Sequence, residues 1–157
     1  MRRFDMFQYS CLLWLVNAVL VILSYFVAGL INTALILFPA AFVSFGMMIF
    51  LRGKEQVDFL QTWKNSATWS KVITIISVIY TFVNFIICNF LLRDGGPHID
   101  NGMYCLWNHG FVREITEEEY NALLIVEGRL FIGHILFFSA IPVMFFSGRK
   151  NAKHLDL

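Results

Sequence analysis

The stretch that decides the fold is MFQYSCLLWLVNAVLVILSYFVAGLINTALILFPAAFVSFGMMIFL, residues 6–51, because it contains no Asp, Glu, Lys or Arg. Two further uncharged stretches follow, between Lys71 and Arg93 and between Arg129 and Arg149. A membrane-spanning helix needs roughly 20 apolar residues, so each later stretch accommodates one crossing and the first accommodates two. The chain is 58% hydrophobic and 15% charged, whereas soluble domains are about 45–50% apolar and about 25% charged. The sequence therefore predicts an all-α integral membrane protein with four transmembrane helices.

A turn near the middle of residues 6–51 divides this stretch into two spans. The segment AGLINT, residues 28–33, contains a Gly and an Asn, which tolerate the backbone angles of tight turns. The first span is longer than the core of a signal peptide and no A-x-A pattern follows it, so we expect it to remain as an anchor. The predicted spans of this single domain, residues 1–157, are residues 8–28, 33–51, 72–92 and 130–147.

The distribution of basic residues predicts which side of the membrane each loop faces. With four crossings, both termini and the loop 52–71 lie on one side, and the loop 93–129 lies on the other. The first side carries nine of the twelve basic residues, so the positive-inside rule predicts cytoplasmic termini (N-in/C-in) and an extracytoplasmic loop 93–129. We expect a multi-pass protein of the cell (inner) membrane. The nine basic residues are Arg2, Arg3, Arg52, Lys54, Lys64, Lys71, Arg149, Lys150 and Lys153.

The cytoplasmic loop contains a short helical pattern in EQVDFLQTWKNSATWSK, residues 55–71. Val57, Leu60, Trp63 and Ala67 recur at steps of three or four residues, which places them on one helical face. One interpretation is a helix at the membrane surface that binds a partner. The other is a short interfacial helix that positions the third span.

The extracytoplasmic loop contains a β-hairpin signal. Its first part, RDGGPHIDNG at residues 93–102, is rich in turn-forming residues, and we expect it to be irregular. MYCLW at 103–107 and FVREI at 111–115 are separated by NHG, in which Asn108 and Gly110 tolerate positive φ. We therefore expect a small β-hairpin between the third and fourth spans.

A helix start follows the hairpin. Thr116 and Glu119 have the S/T-x-x-E/Q spacing of a capping box, in which each side chain bonds the other residue's backbone N–H. No strong helix breaker follows, so we expect one long helix from Thr116 through the fourth span, with its first three turns above the bilayer.

The hairpin is the predicted binding region. An isolated hairpin is marginally stable in water, so its apolar side chains need a partner, which Tyr120, Leu123 and Leu124 on the projecting helix are positioned to supply. One interpretation is a binding head, and the other is merely a capped loop. The candidate binding residues are Tyr104, Trp107, His109, Phe111 and Arg113.

Four polar residues lie at or near membrane depth, where polar groups are costly and usually face the interior of the bundle. One interpretation is a proton or cation path, with Glu127 at its mouth, His134 as carrier, and Asn84 and Asn89 as its lining. The other is hydrogen bonding between helices by His134 and Asn89. We favour the second, because the fourth span below His134 offers only Ser139 before its final residues.

No catalytic motif is present, neither a G-x-S-x-G elbow nor a P-loop. His98, His109 and His134, with Cys105, match no standard zinc spacing, and Asn-His-Gly is better explained as a turn. The three cysteines do not form the even set of a disulfide framework, although a bridge between Cys88 and Cys105 is geometrically possible. We therefore expect no enzymatic activity, no metal and no cofactor.

Two functions from different classes fit these observations. The first is a non-enzymatic interaction protein that acts through its extracytoplasmic hairpin and its membrane helices. The second is a small transporter or channel subunit that uses Glu127 and His134. The layout of four spans with short loops and cytoplasmic termini is also similar to that of immunity proteins against pore-forming bacteriocins, a resemblance of topology. The expected partners are the lipid bilayer and a membrane or extracytoplasmic protein or a second copy of the chain, and no feature indicates nucleic acid.

Overall fold

A computed structural model describes residues 5–56 and 58–155. Arg2, Arg3 and Val57, on which predictions above depend, lie outside the described residues. The helices are α1 (Met6–Leu23), α2 (Ile31–Glu55), α3 (Phe59–Asn65), α4 (Thr68–Leu91) and α5 (Glu117–Leu155). The strands are β1 (Gly96–Asp100), β2 (Met103–Trp107) and β3 (Phe111–Glu114). Within the described ranges, α1, α2, α4 and α5 are long and apolar enough to cross a membrane, which confirms four helices capable of spanning one.

The last helix, α5, is the centre of the bundle, and α1, α2, α3 and α4 all pack against it. Buried residues make up 67% of its most apolar stretch, against 28% for α1, 17% for α2 and 22% for α4. Its core side chains include Ile132, Ala140, Val143 and Phe145, each with no exposed surface. The other long helices therefore bury one face on α5 and leave the opposite face to the surroundings.

Helix α1 begins at a side-chain cap and ends at a turn. Asp5 and Gln8 form a capping box that was not predicted, in which Asp5 Oδ1 accepts from the Gln8 N–H at 2.8 Å and Gln8 Oε1 accepts from the Asp5 N–H at 3.1 Å. The helix ends at Leu23 rather than at residue 28, and the chain continues in a turn in which the N–H groups of Tyr25 and Phe26 donate to carbonyl oxygens three residues earlier.

Helix α2 follows a turn in which Gly29 has a φ of +79°, as expected for the segment 28–33. It continues past the predicted end at residue 51 to Glu55. Arg52 and Lys54 lie in its last turn, where cations interact favourably with the negative end of the helix dipole. The left-handed residue Gln56, with a φ of 50°, ends the helix.

The expectation of an irregular segment over residues 93–102 is wrong for residues 96–100, which form β1. This strand pairs antiparallel with β2, and β2 pairs antiparallel with β3, so the predicted hairpin is the second half of a three-stranded sheet. Asn101 and Gly102 connect β1 to β2 with φ angles of 49° and 82°, as a two-residue hairpin turn requires. Pro97 is compatible with β1 because this strand lies at the edge of the sheet.

Helix α4 contacts α5 through a stripe of small and polar side chains at alternating steps of four and three residues. Its buried members are Ser70, Thr74, Ser77, Thr81, Asn84 and Cys88. Three of them donate to backbone carbonyl oxygens of α5: Thr74 to Ala140 at 3.1 Å, Thr81 to Gly133 at 2.8 Å, and Asn84 to Arg129 at 2.9 Å. The helices are so close at Gly133 that an added Cβ would lie 2.8 Å from Asn84 Nδ2.

Helix α3 packs on the other end of α5. Thr62 is its buried residue, and the buried Ser66, which follows the end of the helix, donates its hydroxyl to the Met144 carbonyl oxygen at 2.9 Å. A Cβ added at Gly148 would meet the Thr62 carbonyl oxygen and would lie 2.7 Å from Ser66 Oγ. Leu60, one of the residues of the predicted apolar face, is instead 67% exposed. The contact is therefore made by small polar residues, because glycine lets the two backbones approach closely.

Candidate functional site

One face of the sheet is fastened to the start of α5. The ring centroids of Tyr104 and Tyr120 lie 4.9 Å apart, and Leu106 on the same face is only 3% exposed. Arg113, opposite Leu106 in the register, forms a two-pronged ion pair with the Glu119 carboxylate. Two of the five candidate binding residues, Tyr104 and Arg113, thus hold the sheet in place.

The ion pair between Arg113 and Glu119 shifts both groups toward their charged forms. The hydrogen-bonded Glu119 carboxylate raises the pKa of Arg113 above its ordinary value. The Arg113 guanidinium in turn lowers the pKa of Glu119. Each shift favours the charged form, in which the ion pair ties β3 to the first turn of α5.

The face of the sheet that points away from α5 carries exposed apolar side chains. Met103 is 49% exposed, Trp107 43% and Phe111 55%, and the antiparallel register places them on one side. The ring of His98 lies 5.1 Å from that of Trp107. Trp107 and Phe111 are therefore the candidate residues that this face of the sheet presents to a partner.

The tip of the β2–β3 hairpin is formed by Asn108, His109 and Gly110. His109 is exposed and adopts a left-handed φ of 57°, so the positive φ falls on His109 rather than on Asn108 or Gly110, the residues noted as tolerating it. The Asn108 N–H donates to the Gly110 carbonyl oxygen at 2.9 Å, which closes the turn. His109, the remaining candidate binding residue, thus lies at the tip of the hairpin.

Cys105 is 1% exposed, although it lies on the outward face of the sheet. Its Sγ is 3.5 Å from the carbonyl oxygen of His98, its partner in β1. The pairing with β1, which was not predicted, places the His98 backbone against this thiol. Cys105 and Cys88 are both free thiols, so the bridge considered between them is absent.

The capping box predicted at the start of α5 is only half formed. Thr116 Oγ1 accepts from the Glu119 N–H at 3.1 Å, as expected. The reciprocal bond is replaced, because the Glu119 carboxylate binds Arg113 instead of the Thr116 N–H. The prediction of one long helix from this point is confirmed by α5, which has 39 residues.

The four polar residues predicted at membrane depth do not converge on one site. His134 Nδ1 is 2.7 Å from the Leu130 carbonyl oxygen in the preceding turn, and Asn89 is exposed and donates to the Phe85 carbonyl oxygen. Hydrogen bonding between helices by His134 and Asn89 is therefore a wrong prediction.

Asn84 makes the bond between helices that was assigned to Asn89. It belongs to the stripe of α4 that faces α5, whereas Asn89 follows the last member of that stripe, Cys88, and is rotated by about 100° from it. Glu127 is half-buried on α5. The spacing of small polar residues from Ser70 to Cys88 is the sequence signal that identifies the buried asparagine.

A second site, which was not predicted, lies at Arg129. Its guanidinium carbon is 4.7 Å from the centroid of the Tyr25 ring, and its Nη2 is 3.8 Å from Cys88 Sγ. Its Nε is buried and has no hydrogen-bond partner among the described residues. The ion pairs of the described residues do not include Arg129. Arg129 is thus a half-buried cation with unused donors.

Arg129 lies at one end of a cleft of about 440 Å³ along α4. Most of the side chains that line the cleft are apolar. Arg129 is the one cationic side chain among them, and none of them is acidic. Tyr25 and Tyr80 bring their hydroxyl groups within 3.4 Å of each other in its wall. The lining residues are Tyr25, Ile76, Ile79, Tyr80, Val83, Asn84, Ile87 and Arg129.

Comparisons with known proteins provide no further assignment, since no family model, no curated protein and no solved structure matches the chain. Among the described residues there is also no group of three or more His, Cys, Asp or Glu side chains that could hold a metal ion. The proposals for function therefore depend on the geometry of the sheet and of the cleft.

Proposed function

We propose that the protein is a multi-pass protein of the cell (inner) membrane that binds a protein partner, without enzymatic chemistry, through its extracytoplasmic sheet. Membrane insertion is supported by four apolar helices whose outward faces expose large hydrophobic side chains, such as Ile22, Phe50 and Phe82. Cytoplasmic termini are supported by nine of the twelve basic residues on that side. In this orientation the sheet stands outside the cytoplasm.

The observation that carries the proposal is the exposure of the edge strand β3. All four of its residues are exposed, and two of them, Phe111 and Val112, are large and apolar. The strand pairs with β2 on one side only, so its other edge has backbone groups that can pair with a further strand. Trp107 on β2 adds an exposed aromatic ring beside this edge.

The sheet is presented to the partner in a fixed orientation. The ion pair of Arg113 with Glu119 and the packing of Tyr104 on Tyr120 hold it against α5, which is itself the most buried helix. A surface that is ordered before binding loses less conformational entropy on association.

The charge of the extracytoplasmic loop defines the complementary partner. Seven acidic residues and three arginines lie between residues 93 and 129, so the loop that carries the apolar edge has a net negative charge. Complementary charge increases association rates and selects against partners of the same sign. The partner is therefore a protein with an apolar segment that can adopt an extended conformation and that is flanked by basic residues.

The proposal is tested by crosslinking in intact cells. A photoreactive amino acid at Phe111 should give a protein adduct of one discrete size, and the same amino acid at Tyr104, which faces α5, should give none. The substitution Trp107→Ala should reduce the adduct formed from position 111, because it removes the neighbouring aromatic contact.

Crosslinks from position 111 to lipid alone would contradict partner binding and would assign the sheet to the membrane surface.

Immunity against a pore-forming toxin would be one instance of the proposed partner binding, with the toxin as the partner. The second function, transport through Glu127 and His134, is not favoured by any specific contact, since His134 bonds within its own helix.

A further inference from the structure

The cleft at Arg129 has the chemistry of an anion site joined to an apolar groove. A guanidinium group has five N–H donors and binds phosphate in two-pronged geometry. Around Arg129 these donors meet only an aromatic face and a thiol, both of which are weak partners, and Nε meets none among the described residues. The nearest acid in sequence, Glu127, lies two residues earlier in α5 and therefore on the opposite side of the helix.

Two tyrosine hydroxyls supply further donors. Tyr25 and Tyr80 are 3.4 Å apart, and a hydrogen bond between them uses only one of their two hydroxyl protons. The other proton remains available to an oxygen atom in the cleft. The site thus offers a charge and a neutral donor to one anionic group.

The apolar part of the cleft has the length of one membrane leaflet. It extends along α4 from Ile87, near Arg129, to Ile76, which at about 1.5 Å per residue is about 16 Å. This is about half of the roughly 30 Å hydrocarbon core of a bilayer. Ile76 is 60% exposed and Ile87 47%, so the groove opens sideways toward the surroundings of the bundle.

We propose that this cleft binds one anionic phospholipid of the leaflet on the side of the sheet, with its phosphate on Arg129 and one acyl chain along α4 from Ile87 to Ile76. The length of the groove favours a lipid over a free phosphate ion. The absence of an acidic side chain among the lining residues favours an anionic headgroup over a zwitterionic one, whose cation would have no counterpart. The volume of about 440 Å³ is within the usual range of ligand pockets.

This lipid site shares with the proposed function only the insertion in a membrane. It uses α4, α5 and the turn after α1, whereas partner binding uses β2 and β3. Failure to crosslink a partner at Phe111 would leave the lipid site intact, and loss of lipid binding would leave the crosslink intact.

The test is a lipid titration of the full-length protein in a neutral detergent, followed by thermal unfolding. Phosphatidylglycerol should raise the unfolding temperature saturably, whereas phosphatidylcholine with the same acyl chains and inorganic phosphate should not do so at the same concentrations. The variant Arg129→Gln should weaken the apparent affinity for phosphatidylglycerol by roughly tenfold or more, as expected for the loss of charge-assisted hydrogen bonds.

The matched control is Arg93→Gln. Arg93 also contacts an aromatic ring, that of Phe90 at 4.9 Å, and follows the end of α4, but it lies outside the cleft. This control should retain the affinity of the unmodified protein. If it loses as much affinity as Arg129→Gln, binding is unspecific attraction and the proposal is overturned.

A second variant tests the groove without altering the cation. Val83→Trp fills the apolar part of the cleft from a position that is 48% exposed, so it is compatible with folding, and it should also weaken binding of phosphatidylglycerol. Unchanged affinity in this variant would overturn the proposal, even if Arg129→Gln does not fold. Equal stabilisation by inorganic phosphate or by phosphatidylcholine would overturn it as well.

Discussion

Asn17 is a buried residue without hydrogen bonds. It lies between Leu13 and Leu20 on the buried face of α1, has no exposed surface, and neither its amide oxygen nor its amide nitrogen has a partner among the described residues. A buried polar group without a partner costs about 1–3 kcal/mol. The polar residues nearby in α1 are paired instead, such as Ser10, whose hydroxyl lies 2.9 Å from that of Ser44.

We therefore expect Asn17→Leu to stabilise the protein. The substitution keeps the branched shape and removes the cost of the unpaired amide, so the free energy of unfolding should rise by about 1 kcal/mol. The measurement is the unfolding temperature in detergent. Asn89→Leu is the control, and it should change this temperature little, because Asn89 is exposed and bonds within its own helix. A lower unfolding temperature for Asn17→Leu would mean that a buried water bonds the amide.

The helices and strands differ in how well they can be predicted from their own residues. The uncharged stretches are a direct signal of spanning helices, because charge is costly in lipid wherever it lies. Strand β1 was missed because Gly96 and Pro97 disfavour strands in general, although both are tolerated at the edge of a sheet. The Asn101–Gly102 pair was the opposing signal, since it is typical of two-residue hairpins. Local composition therefore failed to predict β1, because pairing with the neighbouring strand β2 determines its structure.

The contact of α3 with α5 gives a prediction about one glycine. In Gly148→Ala the added methyl group would collide with the Thr62 carbonyl oxygen and with Ser66 Oγ, so the helices must separate. We expect a destabilisation of about 1–3 kcal/mol, as is usual for overpacking. It should appear as a lower unfolding temperature and as faster proteolysis between Asn65 and Thr68.

Gly46→Ala is the matched control for this substitution. Gly46 is also within a long apolar helix, but no packed neighbour among the described residues lies within 4 Å of an added Cβ. Alanine has a higher helix propensity than glycine by about 1 kcal/mol, so this variant should be as stable as the unmodified protein or more stable. Equal behaviour of the two variants would contradict the close contact at Gly148.

At the scale of the whole molecule, the number of long apolar helices follows from the sequence, but the arrangement of helices around α5 does not. Arg129 was counted only as a charge at the end of a span. Its significance depends on Tyr25 and Tyr80, which are distant in sequence and meet it only through the packing of three segments. Charge patterns predict position along the membrane normal, whereas neighbours within the membrane plane depend on side-chain fit.

The orientation of the molecule gives a further prediction. A reporter that is active only in the cytoplasm should function when it is fused after residue 157 or inserted in the loop 52–71, and it should be inactive near Asn101. The reason is the excess of basic residues on the side of the termini. The opposite pattern of activity would contradict both the proposed orientation and an extracytoplasmic partner.

The central position of α5 has a consequence for biosynthesis. Synthesis in chain order places α1, α2 and α4 in the proposed membrane before α5, yet each of these helices packs mainly on α5. Until α5 arrives, the hydroxyl groups of Thr74 and Thr81 have no carbonyl partners on another helix, and Asn84 lacks the Arg129 carbonyl oxygen. For a chain inserted in this order, we expect a stage in which the earlier helices are loosely associated, and closure of the bundle in one late step when α5 enters.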